Sequence, residues 1–183
     1  IKRVAKVRLE DRLGLVEGKD FIVEGIPESA EGAQDLWERD KHQFQKWAIE
    51  QVDGFVTTKK TADGGIDGRL YFSLPGSADL ESMVIEVKGG KHVTKENVRS
   101  LRGVLERDQA AMAGLIIMGE MGDRKTKNFA TEMGDAGYLD VMGVQYPKMQ
   151  MLTVGDILAG KRFNTPTVAK ARMVAQPLLP LGR

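Results

Sequence analysis

The chain has 183 residues, 42% hydrophobic and 29% charged, which suits one ordinary domain with a real core and excludes global disorder. With 27 basic against 26 acidic residues the net charge is +1, so any nucleic-acid surface has to be local. The absence of cysteine excludes disulfides and thiolate metal centres, the two histidines (His42 and His92) argue against a histidine-built zinc site, and no apolar run approaches the ~18 residues of a membrane span.

Residues 1–26 are mixed and charged, close on Gly25-Ile26-Pro27, and read as a leader or the remnant of an upstream domain. Ile1 in place of an initiator Met, with no secretory signal behind it, gives the expectation of a cytoplasmic piece of a longer chain. From Ser29 the spacing of Ala33, Leu36 and Trp37 predicts a helix. It restarts at Asp40 and carries Phe44, Trp47, Ala48 and Val52 on one stripe until Asp53-Gly54. Phe55 to Thr58 predicts a short strand and Lys59 to Gly65 a polar turn. Ile66 to Leu74 then alternates, with Ile66, Gly68, Leu70 and Phe72 on one face and Asp67, Arg69 and Tyr71 on the other. After a turn over Leu74 to Asp79, the short apolar run Met83–Lys88 predicts a central strand.

Thr94 suits a helix N-cap, flanked by Val93 and Val98 as a hydrophobic staple. The helix that follows should bury Val98, Leu101, Val104 and Leu105 and carry Lys95, Arg99, Arg102 and Glu106 on its other face. A strand over Gly114–Met118, a helix over Asp123–Ala136 stopped by Gly137, a strand over Met149–Leu152 and the start of a last helix at Val154–Leu158 complete the pattern. Past Gly160, three of the six prolines together with Lys161, Arg162, Lys170, Arg172 and Arg183 read as a loosely ordered basic tail. The order α, β-β-β, α-β-α-β-α predicts an α/β fold, a central mixed β-sheet flanked by helices, over residues 27–160 between the leader 1–26 and the tail 161–183.

The chemistry concentrates in Met83-Val84-Ile85-Glu86-Val87-Lys88, where a period of two puts Glu86 and Lys88 on one face of an otherwise apolar strand. Two charges there are expensive unless compensated. Glu-x-Lys alone fits an ion pair at a strand end that reaches solvent, and the context decides. Asp67 lies on the preceding strand, which a hairpin can bring beside Glu86. Two converging carboxylates suit magnesium, which takes oxygen ligands and keeps several waters. An adjacent ammonium can orient a water and offset phosphate charge, and Gly89-Gly90 permits close backbone approach to a ligand. The set contains what metal-assisted phosphodiester hydrolysis needs.

Asp67 followed by Glu86-Val87-Lys88 resembles the PD-(D/E)xK nucleases, and Asp63-Gly64-Gly65-Ile66-Asp67-Gly68 makes the chain similar to Mrr-type restriction endonuclease domains over about residues 40–160, with the Gly-Leu-Ile-Ile-Met strand at 114–118 included. Gln43 to Ala48, Val87 to Gly90 and Leu101 to Val104 further resemble the nuclease-like domain attached to some bacterial DNA adenine methyltransferases. The resemblance implies a restriction-endonuclease-like fold, Asp67 and Glu86 as metal ligands and Lys88 as the catalytic lysine. Many relatives carry a glutamate on the first core helix; the matching position here is Gln45, which brings no charge, while Glu50 lies further along in another register. The implied function is a Mg2+-dependent DNA endonuclease of a restriction–modification system, with Mn2+ as a possible substitute. Double-stranded DNA would be its partner, a methyltransferase domain could share its longer chain, and a homodimer could cut both strands. Gln45 favours an alternative: a catalytically silent DNA-binding or target-recognition module of a DNA methyltransferase. An appendage that mediates oligomerisation is a third reading.

Around this centre, Arg99 and Arg102 are candidates for DNA phosphate contact, as are Lys60 and Lys91 on the flanking loops beside Lys59 and His92. His92 lacks an evident orienting partner for a general-base role. Trp37 and Trp47 read as core, and the glycine pairs do not match a phosphate-binding P-loop.

Overall fold

Ser29 and Asp40, the polar residues that bracket the first apolar stripe, each cap a helix, and the helical pattern breaks between them as the sequence predicts. Ser29 Oγ accepts from Gly32 N–H at 3.1 Å and opens α2 (Ala30–Arg39); Asp40 Oδ1 accepts from His42 and Gln43 N–H at 3.0 and 3.1 Å and opens α3 (Lys41–Gln51). The computed structural model describes residues 2–16, 19–21, 25–57, 66–90, 93–119 and 123–166. Within the expected leader, Lys2–Leu13 forms a helix, α1, which ends at Gly14.

Two-residue strand β1 (Phe55–Val56) leads to β2 (Gly68–Ser73), and a turn through Gly76 joins β2 to β3 (Leu80–Lys88). β3 begins three residues before Met83 because Leu80, Glu81 and Ser82 pair with Ser73, Phe72 and Tyr71. The helix α4 (Lys95–Arg107) follows, with Asn97 Oδ1 accepting from Thr94 N–H at 2.9 Å at its start. Next come β4 (Met112–Ile117), α5 (Asp123–Gly134), β5 (Tyr138–Val141), β6 (Val144–Pro147), β7 (Met149–Thr153) and α6 (Val154–Leu158). The main sheet has the order β1-β2-β3-β4-β7, antiparallel across β1-β2-β3 and parallel across β3-β4-β7, so it is mixed and β3 is central.

Each face of the sheet has its own apolar layer. Met83, Ile85 and Val87 join Phe44, Trp47, Ile49, Leu70, Phe72, Val154 and Ile157 on the side of α2, α3 and α6. Val84 joins Val98, Leu101, Val104, Leu105, Leu115 and Phe129 on the side of α4 and α5. The alternation along β3 thus sends Glu86, in step with Val84, toward the α4 side. Packing continues past Gly160: Phe163 is buried on the α3 side, and a Cβ at Gly114 would come within 2.6 Å of its ring.

Strands β5 and β6 form a separate two-stranded hairpin, in a segment where the sequence pattern predicts no element. Its turn places Met142 (φ 53°) and Gly143 (φ 83°) both at positive φ, as a type I′ turn requires, and Asp140 Oδ1 accepts from Gly143 N–H at 3.1 Å.

Candidate active site

Glu86 is the one buried charged residue among the described residues, 5% exposed on the central strand. Lys88, two residues on and on the same face, places Nζ 2.6 Å from Glu86 Oε1, with its own side chain 36% exposed. The ammonium therefore sits at the rim while the carboxylate sits inside.

Asp67 arrives from the neighbouring strand. The last ladder pair of β2 and β3 at this end is Gly68↔Ile85, and Asp67, one residue earlier, still donates its N–H to Ile85 O at 2.9 Å. Its side chain then accepts the next available donor on β3, Val87 N–H, at 2.7 Å to Oδ2. This exchange of a ladder bond for a side-chain bond fixes the carboxylate against the strand that carries Glu86. Gln45 reaches Asp67 from α3, its Nε2 donating to Oδ1 at 3.0 Å. That reach depends on Gly68: a Cβ there would lie 2.7 Å from Ile49 Cγ2 and 2.9 Å from Phe55 O, so only glycine lets α3 settle so close to β2.

The electrostatics follow from this placement. Burial pushes the Asp67 carboxyl above its ordinary value, against the opposing pull of the Val87 N–H, Lys88 and His42. Burial also pushes Glu86 up; Lys88 pulls it down through hydrogen bond and charge, and the charge of Asp67 raises it further. Protein groups alone thus leave both carboxylates under-compensated. The donors present are two hard carboxylate oxygen sets and one amide, and among the described residues no three His, Asp or Glu side chains form a metal-binding group.

Asp67, Glu86, Lys88 and Gln45, the four residues singled out in the sequence, are brought together. The remaining candidates are dispersed or engaged. The Arg99 guanidinium grips Glu132 on α5 with Nε at 3.1 Å and Nη2 at 2.8 Å, and Lys95 Nζ lies 3.7 Å from the same carboxylate, so these residues tie α4 to α5. Arg102 pairs with Glu106 at 3.4 Å and lines a shallow cavity of about 290 Å³ with Gln109, Ala136 and Lys148; none of the four site residues lines it. Lys60 and Lys91, like Lys59, His92 and Asp63-Gly64-Gly65, lie outside the described residues. Trp47 is core, as expected; Trp37 is half-buried, and its ring lies directly on Gly89, where a Cβ would collide with the indole. Lys41 Nζ sits 5.3 Å from the Trp37 ring centroid, so the first turn of α3 is attached to the backbone just after Lys88.

His42 is the residue that sequence reasoning passed over: its charge reaches Asp67. The signal was helical spacing from Gln45, three positions later on the same stripe.

A family model described as restriction endonuclease, of the Mrr catalytic type, matches residues 38–135, a span from the end of α2 through α5 that contains all four site residues. No curated protein matches the chain. Among solved structures the chain is similar to MspJI restriction endonuclease in complex with a 27-mer oligonucleotide, with TM-score 0.50 and 14% identity over 79% of this chain and 33% of that one. The restriction endonuclease FokI matches with TM-score 0.47 and 12% identity over 87% of this chain and 30% of the other. The chain spans about a third of the length of these structures, and the likeness to MspJI, at 14% identity, is one of fold.

Proposed function

The chain belongs to the restriction endonuclease family, and on that premise we propose that it is a metal-dependent endodeoxyribonuclease domain that hydrolyses DNA phosphodiester bonds in a restriction–modification system. The observation that carries the proposal is the meeting of Asp67 and Glu86 at one end of β2 and β3, both raised by burial, with Lys88 Nζ 2.6 Å from Glu86. A buried carboxylate pair left short of positive charge is a poor structural element and a good cation site. Magnesium is the cation of choice, with manganese as substitute, because it binds through one or two carboxylates and fills its other positions with water and phosphate oxygens. Asp67 and Glu86 would hold it, and when bound it supplies Lewis acidity and a water of lowered pKa.

The chain's own residues do the rest. Lys88 presents its ammonium at the rim, where it orients the attacking water and offsets charge on the phosphate. Gln45 and the Val87 N–H lock the Asp67 carboxylate in one rotamer. The apolar layer under α4 keeps Glu86 away from bulk water. For the DNA path, Lys60, Lys91 and Arg102 are the proposed phosphate contacts; Arg99 can join them only by releasing Glu132. Cutting both strands calls for two sites, hence a homodimer on double-stranded DNA, and a methyltransferase domain in a longer cytoplasmic chain is the proposed neighbour. The site lies in a core of residues 27–160, with 1–26 and 161–183 as its extensions.

Calorimetric titration with magnesium and manganese tests the reading: wild type binds and Asp67→Ala does not. Plasmid cleavage should fall by roughly 10²–10³ or more in Glu86→Ala and Lys88→Ala. Failure of the wild type to bind either cation refutes the metal site, and cleavage that survives both substitutions refutes the residue assignment. Gln45 favours a second reading, because an amide donor faces Asp67 in place of a third carboxylate: a silent DNA-binding module of a methyltransferase, which would bind DNA and leave the plasmid intact.

A further inference from the structure

Three residues of α3 share one stripe: His42, Gln45 and Ile49, at i, i+3 and i+7. The structure fixes two of them against the site, Ile49 on Gly68 and Gln45 on Asp67. His42 lies three residues further out along the same face, about 4.5 Å along the helix axis. Its backbone N–H is held by the Asp40 cap, while its imidazole is exposed and makes no hydrogen bond among the described residues. The turn that carries it is anchored, since Lys41 lies over Trp37 and Trp37 lies on Gly89, next to Lys88. From this position His42 is within electrostatic reach of Asp67.

We propose that His42 is a substrate-contacting residue of this site, which donates an imidazole N–H to a backbone phosphate of the bound DNA from the first turn of α3. The inference rests on the nuclease reading and extends the site across the gap between sheet end and solvent. The Lys41 ammonium, held over Trp37, adds positive charge beside the same turn. The contact gives the phosphodiester a second handle besides the rim ammonium of Lys88, on a different element of the fold, and so fixes the direction in which the strand crosses the carboxylates.

Binding of a fluorescein-labelled duplex of mixed sequence, followed by anisotropy with the full chain, tests this. The Glu86→Gln background prevents cleavage during the measurement, and thermal melts verify that each variant is folded. His42→Ala should weaken binding about tenfold, the loss of one charge-assisted hydrogen bond. His42→Lys, which keeps a donor, should retain most of the affinity. Equal affinity of the His42→Ala chain and its parent overturns the role of His42 and leaves the nuclease reading standing. Failure of His42→Lys to recover an affinity lost in a folded His42→Ala chain also overturns it, because the loss then comes from altered packing. Absence of duplex binding by the wild type itself refutes the reading on which the proposal rests, and the proposal with it.

Discussion

Replacing Glu86 by glutamine should make this protein more stable and inactive. The substitution keeps the side chain's shape and removes a charge that is 5% exposed. Two effects are relieved, burial and the repulsion from Asp67, and one is lost, the ion pair with Lys88. The first two win, since the carboxyl is raised in spite of a 2.6 Å ammonium. The released Lys88 side chain, 36% exposed, remains hydrated. The gain at neutral pH should be about 1 kcal/mol, as for removal of a functional strain elsewhere, and about 2–4 °C in Tm for a chain of this length. Its pH dependence has a defined sign. A carboxyl whose folded pKa lies above its unfolded value contributes stability that is fully present below the unfolded pKa and is lost as pH rises through the folded pKa. Glutamine does not titrate. The two proteins should therefore melt together below about pH 4, the ordinary glutamate value, diverge as pH rises from there through the raised value, and keep a constant gap above it. Melts followed by far-ultraviolet circular dichroism in chelator, from pH 4 to 8, measure the gap, and a plasmid assay at pH 8 measures the loss of cleavage. Magnesium at a hundred times its Kd should stabilise the wild type by about 2.7 kcal/mol and leave the variant unmoved. A Glu86→Gln protein that melts below wild type at pH 8 in chelator, or a gap that does not change with pH, refutes the account of the site.

Three further outcomes follow from the same geometry. Lys88→Ala strips the buried Glu86 of its partner, and should lower stability by about 1–2 kcal/mol in chelator, at the low end for a broken pair because the lysine is half-exposed; urea unfolding reads it, and the loss should shrink when Glu86→Gln is added. Gly89→Ala forces the Trp37 ring or the backbone after Lys88 to move, at a cost of about 1–3 kcal/mol, seen as a lower Tm and a change in tryptophan fluorescence; an unchanged spectrum would contradict the contact. Gln45→Glu turns a donor to Asp67 into a third carboxylate, so in chelator at pH 8 the chain should lose about 1–2 kcal/mol, with magnesium restoring the loss; calorimetry should show tighter magnesium binding than wild type.

Much of the fold was legible because its signals are local. Ser29, Asp40 and Thr94 open helices for reasons contained in three or four residues, and the period of two in Met83–Lys88 assigned Glu86 to the face it occupies. The parts that escaped depend on partners distant in sequence or on unusual backbone. Leu80–Ser82 is too polar and exposed to read as strand, and is one because Tyr71–Ser73 pairs with it. The turn at Met142-Gly143 takes positive φ twice, yet methionine carries none of the preference that asparagine or aspartate would have announced there. Of the site, Asp67, Glu86 and Lys88 were visible as charges on alternating strands. Arg99 looked like a free cation on an exposed face because Glu132, thirty-three residues away, could not be placed against it.

Gln45 bears on both the stability and the function of the site. Asp67 and Glu86 already raise one another's energy under a layer that excludes water. A glutamate at position 45 would add a third negative charge to a pair for which Lys88, half in solvent, is the main positive compensation. The amide does the opposite: it adds no charge and donates to Asp67 Oδ1, holding the carboxylate in place. The chain therefore exchanges a possible third ligand for a carboxylate held ready in one orientation. In that exchange lies the physical content of the two functional readings, because two carboxylates hold a cation less tightly than three would. The magnesium affinity of wild type set beside that of Gln45→Glu is thus the quantity that decides how far this site is built for turnover.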